Sequence, residues 1–327
     1  MSSASSAAKR GVAPASKAPL RLRLKAWWEG YDLSEAEAAS HARGAAGGGS
    51  AAAGGSGAAR ALPFRPWSEI HLEVMQAVWG AGMVGPGNPD FIRHLVKPLG
   101  LNPAMSVIDI GAGLGGAARV MAETFGVWVT AMEAEPKLAS AGMEMSEAAD
   151  MDKKAPVAAF DPEICEPKPR GFDCVVSLGY FFRVKNKARL IEALDFSLKN
   201  GGQMLITDYV LEKPGQENEH LRAWIEGEPD EVAPWSVAQY NRALVERGLE
   251  VRIAEDITDT TRQQIVGAWA DHMATVGQDA GDPRTAETLV HEVEYWTRRV
   301  QALQKGGLRV YRIYARKQSS SNLLSDW

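Results

Sequence analysis

Apolar and polar positions alternate along this chain in a rhythm that first sets out short buried strands. Runs of four to eight apolar-rich residues fall at 106–110, 127–132, 157–160, 172–177, 203–209, 249–254 and 308–315. Between most of them lie stretches whose apolar residues recur every three or four positions, the period of a helix with one buried face. Ile70, Val74 and Val78 mark a helix over 68–79 that ends at Gly80, and 89–96 reads as another, stopped by Pro98. Leu190, Ile191, Leu194 and Leu198 share one helical face. Ser236-x-x-Gln239 has the spacing of a capping box and opens a helix that ends at Gly248. Asp282-Pro283 starts a long helix with Leu289, Val293, Trp296, Val300 and Leu303 on one stripe, ended by Gly306. Strands alternating with helices predict an α/β fold: a doubly wound, Rossmann-like sheet of seven strands covered on both faces, the last strand antiparallel after a helical excursion.

The pattern also predicts domain limits. Residues 1–61 are rich in Ala, Ser and Gly, and GAAGGGSAAAGGSG at 44–57 reads as a flexible linker with nothing to bury. The folded domain is expected over 62–317, with long connections at 211–235 and 257–305 serving as lids and a short tail at 318–327. Within the first segment the basic side chains (Lys9, Arg10, Lys17, Arg21, Arg23, Lys25, Arg43, Arg60) outnumber the acidic ones. Residues 20–28 mix Arg, Lys and Leu and end in Trp27-Trp28, so peripheral membrane contact through this stretch is one expectation, and packing on the domain or a partner is the other.

Over all 327 residues the net charge is −5, which gives no general affinity for nucleic acid. The chain has no apolar run of membrane-spanning length and no signal-like apolar core, and Cys165 and Cys174 are its only cysteines. A cytoplasmic protein without a disulfide framework or a metal centre is expected.

Candidate chemistry centres on Val107-Ile108-Asp109-Ile110-Gly111-Ala112-Gly113-Leu114-Gly115-Gly116, a buried strand running into a glycine-dense turn and a helix over 117–123. Such a turn presents backbone amides to a ligand at a helix N-terminus. The spacing Gly111-x-Gly113-x-x-Gly116 also satisfies the dinucleotide fingerprint, so a nicotinamide dehydrogenase is one alternative. A cofactor-binding scaffold without catalysis is another. Both dinucleotide enzymes and methyltransferases want an acid after strand two, where a carboxylate accepts ribose hydroxyls, and Glu133 fills that place. Other marks separate the readings. Asp109 precedes the first glycine by two residues, and Asp161 closes strand three. With Asn200-Gly201-Gly202 before strand five, these residues resemble the class I S-adenosylmethionine-dependent methyltransferases over about residues 62–317.

That resemblance implies S-adenosylmethionine as cofactor, held by Asp109, Gly111, Gly113, Glu133, Asp161 and Ser177. It implies methyl transfer to a small-molecule acceptor, an amine or a lipid-like compound, at nitrogen or carbon. Within the class, Trp79-Gly80 and the loop to Gly87, the Gly115-Gly116 pair, and Leu205-Ile206-Thr207-Asp208-Tyr209 are similar to phosphoethanolamine N-methyltransferases. Two departures stand out. Where that family carries a tyrosine and histidine for proton transfer, this chain has Trp67 and Phe181. Where the family places basic and aromatic groups for a phosphate, this chain has Glu228-Pro229-Asp230-Glu231, so a phosphate-holding set is not expected. The resemblance puts Tyr209, Trp67, Tyr180 and Phe181 at the reacting end, with Trp235 beside them, and aromatic faces there suit a cation or an apolar acceptor. Glu69, His71, Asp208, His272 and His291 are the candidate bases.

Overall fold

In the computed structural model, which describes residues 67–275 and 282–318, the chain builds one seven-stranded sheet. Readings that fall on residues 1–61, including the interfacial stretch 20–28, lie outside the described residues. The strands are β1 (Ser106–Ile110), β2 (Trp128–Glu133), β3 (Val157–Ala159), β4 (Phe172–Leu178), β5 (Leu198–Leu211), β6 (Leu249–Asp256) and β7 (Leu308–Lys317). Their order is β3-β2-β1-β4-β5-β7-β6, parallel except for β7, which runs antiparallel to both of its neighbours. The expected architecture is the observed one. β1 lies inside the sheet because it has no solvated face: Val107, Ile108 and Ile110 are at most 1% exposed.

The helices are α1 (Glu69–Trp79), α2 (Pro89–Val96), α3 (Gly116–Phe125), α4 (Pro136–Ala148), α5 (Lys187–Ser197), α6 (Glu219–Gly227), α7 (Val237–Glu246), α8 (Thr258–Thr275) and α9 (Pro283–Lys305). Side-chain caps set where many of them begin. Ser68, Asn88, Asn186, Asn218 and Asp282 each accept a hydrogen bond from a first-turn amide, and Ser236 with Gln239 completes the capping box. α5 and α7 cover one face of the sheet through Leu190, Ile191, Leu194, Tyr240 and Leu244 against Ile108, Val175, Met204 and Ile206. α1, α8 and α9 pack on one another, α8 and α9 also meet β7, and α6 packs against α9.

One boundary differs from the periodicity in an instructive way. β5 begins at Leu198, not at Gln203, and Asn200-Gly201-Gly202 lies inside the strand. Its pairing with β4 shifts register between Phe172 and Cys174, and Gly201 takes φ +72° there. The glycines make a bulge, which sequence alone cannot tell from a turn.

The chain leaves β1 toward β2 and β3, and leaves β4 toward β5. The carboxyl ends of β1 and β4 therefore form the switch point at which open α/β sheets bind ligands.

Candidate active site

The glycine turn after β1 is held from within. Gly111, Gly113 and Gly115 all have positive φ, between +57° and +76°, a region that only glycine enters freely. The amides of Gly111 and Ala112 donate to the Met132 carbonyl at 2.8 and 3.1 Å. The amide of Gly113 donates to Glu133 Oε2 at 2.7 Å, and Glu133 Oε1 accepts the amide of Glu135 at 2.9 Å. Glu133 thus braces the turn from the end of β2. Burial pushes its carboxyl above the ordinary range, against the pull of these backbone donors. The third glycine of the spacing has a different reason. The amide of Gly116 donates to the Gly82 carbonyl at 3.0 Å, and a Cβ at position 116 would stand 2.4 Å from that oxygen. Gly116 lets the loop after α1 lie against the start of α3.

Asp109 is the least satisfied group at the switch point. It is 1% exposed, and its Oδ2 has no hydrogen-bond partner among the described residues. Burial, with the Glu133 charge adding to it, pushes its pKa up to about 7. A buried carboxylate oxygen without a donor fits a cationic ligand group, and S-adenosylmethionine carries both an ammonium and a sulfonium. Ser177, also at this point, donates its hydroxyl to the Ile110 carbonyl at 2.8 Å and so ties β4 to β1. Asp161 is exposed beyond β3, its Oδ1 accepting the amide of Glu163 at 2.8 Å.

The aromatic residues named from the sequence separate. Tyr180 lies against Gly111. Phe181 is fully buried on the α5 and α7 side of the sheet, 6.4 Å from the Tyr240 ring, and Trp235 also packs on Tyr240. Trp67 stacks on His71 at 4.3 Å, and His71 Nε2 lies 2.8 Å from Glu292 Oε1 on α9. Tyr209 is 4% exposed on β5 with the Arg299 guanidinium 4.7 Å from its ring centre. Asp208 accepts the Phe182 amide at 3.0 Å and the Tyr240 hydroxyl at 2.6 Å, and burial pushes its pKa up to about 7. It anchors the turn after β4. Glu69 is exposed, and His272 packs against Trp269.

Around Tyr209 the structure assembles a cluster that the sequence did not reveal. Arg183, from the turn after β4, donates to the Tyr295 hydroxyl at 3.0 Å and lies 3.4 Å from Glu228 Oε2. Arg299 bonds Glu228 and Tyr295, and its guanidinium faces Tyr209, Tyr295 and Trp296 at 4.7 Å each and Phe182 at 5.4 Å. Glu228 also accepts from Tyr295 at 2.8 Å and Trp224 at 2.5 Å. Burial works to raise the Glu228 pKa, but the two arginines hold it below the usual carboxylate range. The acidic run at 228–231 is not all solvated surface: Glu228 is buried as the counter-ion of two arginines. The aromatic faces already hold a cation, Arg299. Nothing in the local pattern marks this cluster, because Arg183 and Arg299 meet across 116 positions and Arg299 sits within an otherwise apolar stripe.

Comparison with known proteins agrees with this geometry. A family model described as a methyltransferase domain matches residues 87–253. A phosphoethanolamine N-methyltransferase of Triticum aestivum is 29% identical over 187 residues, covering 56% of this chain but only 35% of the relative's length. The fold is shared with phosphoethanolamine N-methyltransferase 2 of Haemonchus contortus (TM-score 0.65, 20% identity, 76% of this chain and 56% of that one). It is shared as well with a geranyl diphosphate C-methyltransferase of Streptomyces coelicolor (TM-score 0.56, 16% identity, 70% and 75%). The dehydrogenase reading of the glycine spacing is set aside by the family match. With carboxylates at the ends of β1 and β2, a turn that one of them braces, and a sheet whose seventh strand is reversed, the chain belongs to the methyltransferase-domain family, as a class I S-adenosylmethionine-dependent methyltransferase.

Proposed function

We propose that the acceptor is a small molecule joining a nucleophilic amine to an anionic group, and that the anionic group lies against Arg183 and Arg299. One observation carries the reading: Arg183 and Arg299 both pair directly with one carboxylate, Glu228, beside Tyr209 at the carboxyl end of β5, while Asp230 and Glu133 act on Arg183 without a direct ion pair, so two guanidiniums stand together at this end of the sheet. Buried donors remain as well, since Arg299 Nε and Trp296 Nε1 have no partner among the described protein groups. Guanidiniums are suited to phosphate and carboxylate. The compounds in the relatives' names, phosphoethanolamine and geranyl diphosphate, both carry phosphate. A free quaternary ammonium gains less here, because the rings that would face it are covered by Arg299.

In this reading Asp109 holds the ammonium of S-adenosylmethionine and Glu133 its ribose hydroxyls, and the cofactor supplies a sulfonium-bound methyl. A neutral acceptor nitrogen would take the methyl from the sulfonium, leaving a thioether, and the proton of the resulting ammonium would pass to water after product release. The protein's part is to align the two reactants and exclude water with α1, α8 and α9.

The test is transfer of labelled methyl from S-adenosylmethionine to phosphorylated amines, amino acids, prenyl diphosphates and uncharged analogues of each. Anionic amines are expected to be labelled. Arg183→Met should raise their KM at least about tenfold, the size of one lost charge-assisted contact, with cofactor affinity unchanged. Equal labelling of uncharged analogues would overturn the reading.

A further inference from the structure

We propose that Tyr180 stands in the nucleoside part of the cofactor cleft and that its side chain turns aside when the cofactor enters. The proposal rests on the assignment of this cleft to S-adenosylmethionine. Glycine at 111 leaves the backbone bare on one side, and the Tyr180 ring takes that side: a Cβ built on Gly111 would fall 2.0 Å from Tyr180 Cγ and 2.4 Å from its Cδ2. The ring reaches on toward Phe160, the residue before Asp161, at 6.1 Å between centroids. Glu133, Arg183, Asp161 and Glu163 are the charges that act on its hydroxyl. From the turn after β4 the side chain therefore lies by the ends of β1, β2 and β3, the same strand ends that carry Asp109, Glu133 and Asp161. A nucleoside bound by those carboxylates needs that space.

The backbone around Tyr180 is fixed, its own carbonyl accepting the Arg183 amide at 3.1 Å, so the motion open to the ring is rotation of its side chain. Ser177 before it is wholly buried, and the Phe182 amide after it is held by Asp208. Between them Gly179 takes φ +73°, its amide anchored on the Thr207 carbonyl at 2.7 Å. A Cβ there would meet nothing closer than Tyr209 Cε2 at 3.8 Å. Rotation of the Tyr180 side chain disturbs neither anchor. In this position the ring covers Gly111. On entry the cofactor exchanges its own contacts for those of the ring.

Association and equilibrium binding of S-adenosylmethionine and S-adenosylhomocysteine, followed by tryptophan fluorescence in stopped flow and by calorimetry, test this on the full chain. Tyr180→Ala should bind both about tenfold more tightly, the factor by which affinity rises when a form populated at about one tenth becomes the only form. Tyr180→Phe, which keeps the ring, should match the unsubstituted protein. In protein labelled with 3-fluorotyrosine, the fluorine signal lost in Tyr180→Phe should shift when S-adenosylhomocysteine is added. Weaker or unchanged binding by Tyr180→Ala, or a fluorine signal that does not move, overturns the proposal. This last readout stands even if the alanine variant fails to fold. If the unsubstituted protein binds neither compound, the cofactor assignment fails, which is a different result.

Discussion

At the scale of single residues, the buried carboxyl of Asp109 sets a trade between stability and binding. Its pKa in the folded protein, about 7, lies above the ordinary 3.8, so folding favours the neutral form. The stability this contributes is full below about pH 4 and is lost as pH rises through 7. Asp109→Asn should therefore raise the stability of the cofactor-free protein at pH 7.5 by about 2 kcal/mol, seen as a higher unfolding midpoint, while weakening S-adenosylmethionine binding. A bound cation favours the charged carboxylate, so binding should release a proton and tighten as pH rises from 5.5 to 8. Calorimetry in buffers of different ionisation enthalpy would read that proton directly. Asp208 has the same sign and window, but its donors are the chain's own, so Asp208→Asn should alter the pH dependence of stability without removing that of binding.

At the scale of elements, Glu228 is the joint between α6, α9 and the turn after β4. Glu228→Gln leaves Arg299 buried without a counter-ion and should destabilise the protein by about 3 kcal/mol in denaturant titration, since breaking a buried pair from one side strands a charge. A loss below about 1 kcal/mol, the size of a surface pair, would show the cluster to be solvated. Lys187 does similar work nearby. It is fully buried, its ammonium donates to the carbonyls of Val184 and Ala233, and burial pulls its pKa down to about 8. Lys187→Met should release the 228–235 connection from the turn at 181–184, seen as faster amide exchange at Ala233, which now donates to the Phe182 carbonyl at 2.7 Å. Neither role was legible beforehand. An acidic run and a lysine opening a helix look like solvated surface until the partners that bury them are placed.

At the scale of the whole molecule, the proposed cofactor site draws on residues between Asp109 and Tyr180. Removing residues 1–61 is therefore expected to leave S-adenosylmethionine affinity within about twofold by calorimetry, well under the tenfold that 1.4 kcal/mol represents. A larger loss would place part of the binding surface in that segment. Architecture was readable because each strand and helix announces itself within ten or twenty residues: burial on both faces writes unbroken apolar runs, and burial on one face writes a helical period. The glycine turn, Asp109 and Glu133 were readable for the same reason, since a strand end, a turn and a helix start must follow one another in sequence. Residues adjacent in a turn can still face different neighbours: Phe181 lies in the core beside Tyr240 while Tyr180, one position earlier, lies over Gly111. The amino-acid order by itself determined the layered sheet, its reversed last strand and the acids around the cofactor turn, because local periodicity and backbone geometry encode them. Only the tertiary structure decided that two arginines and a tyrosine from distant segments converge on Glu228 beside Tyr209, because that convergence depends on how α9 folds back over β5.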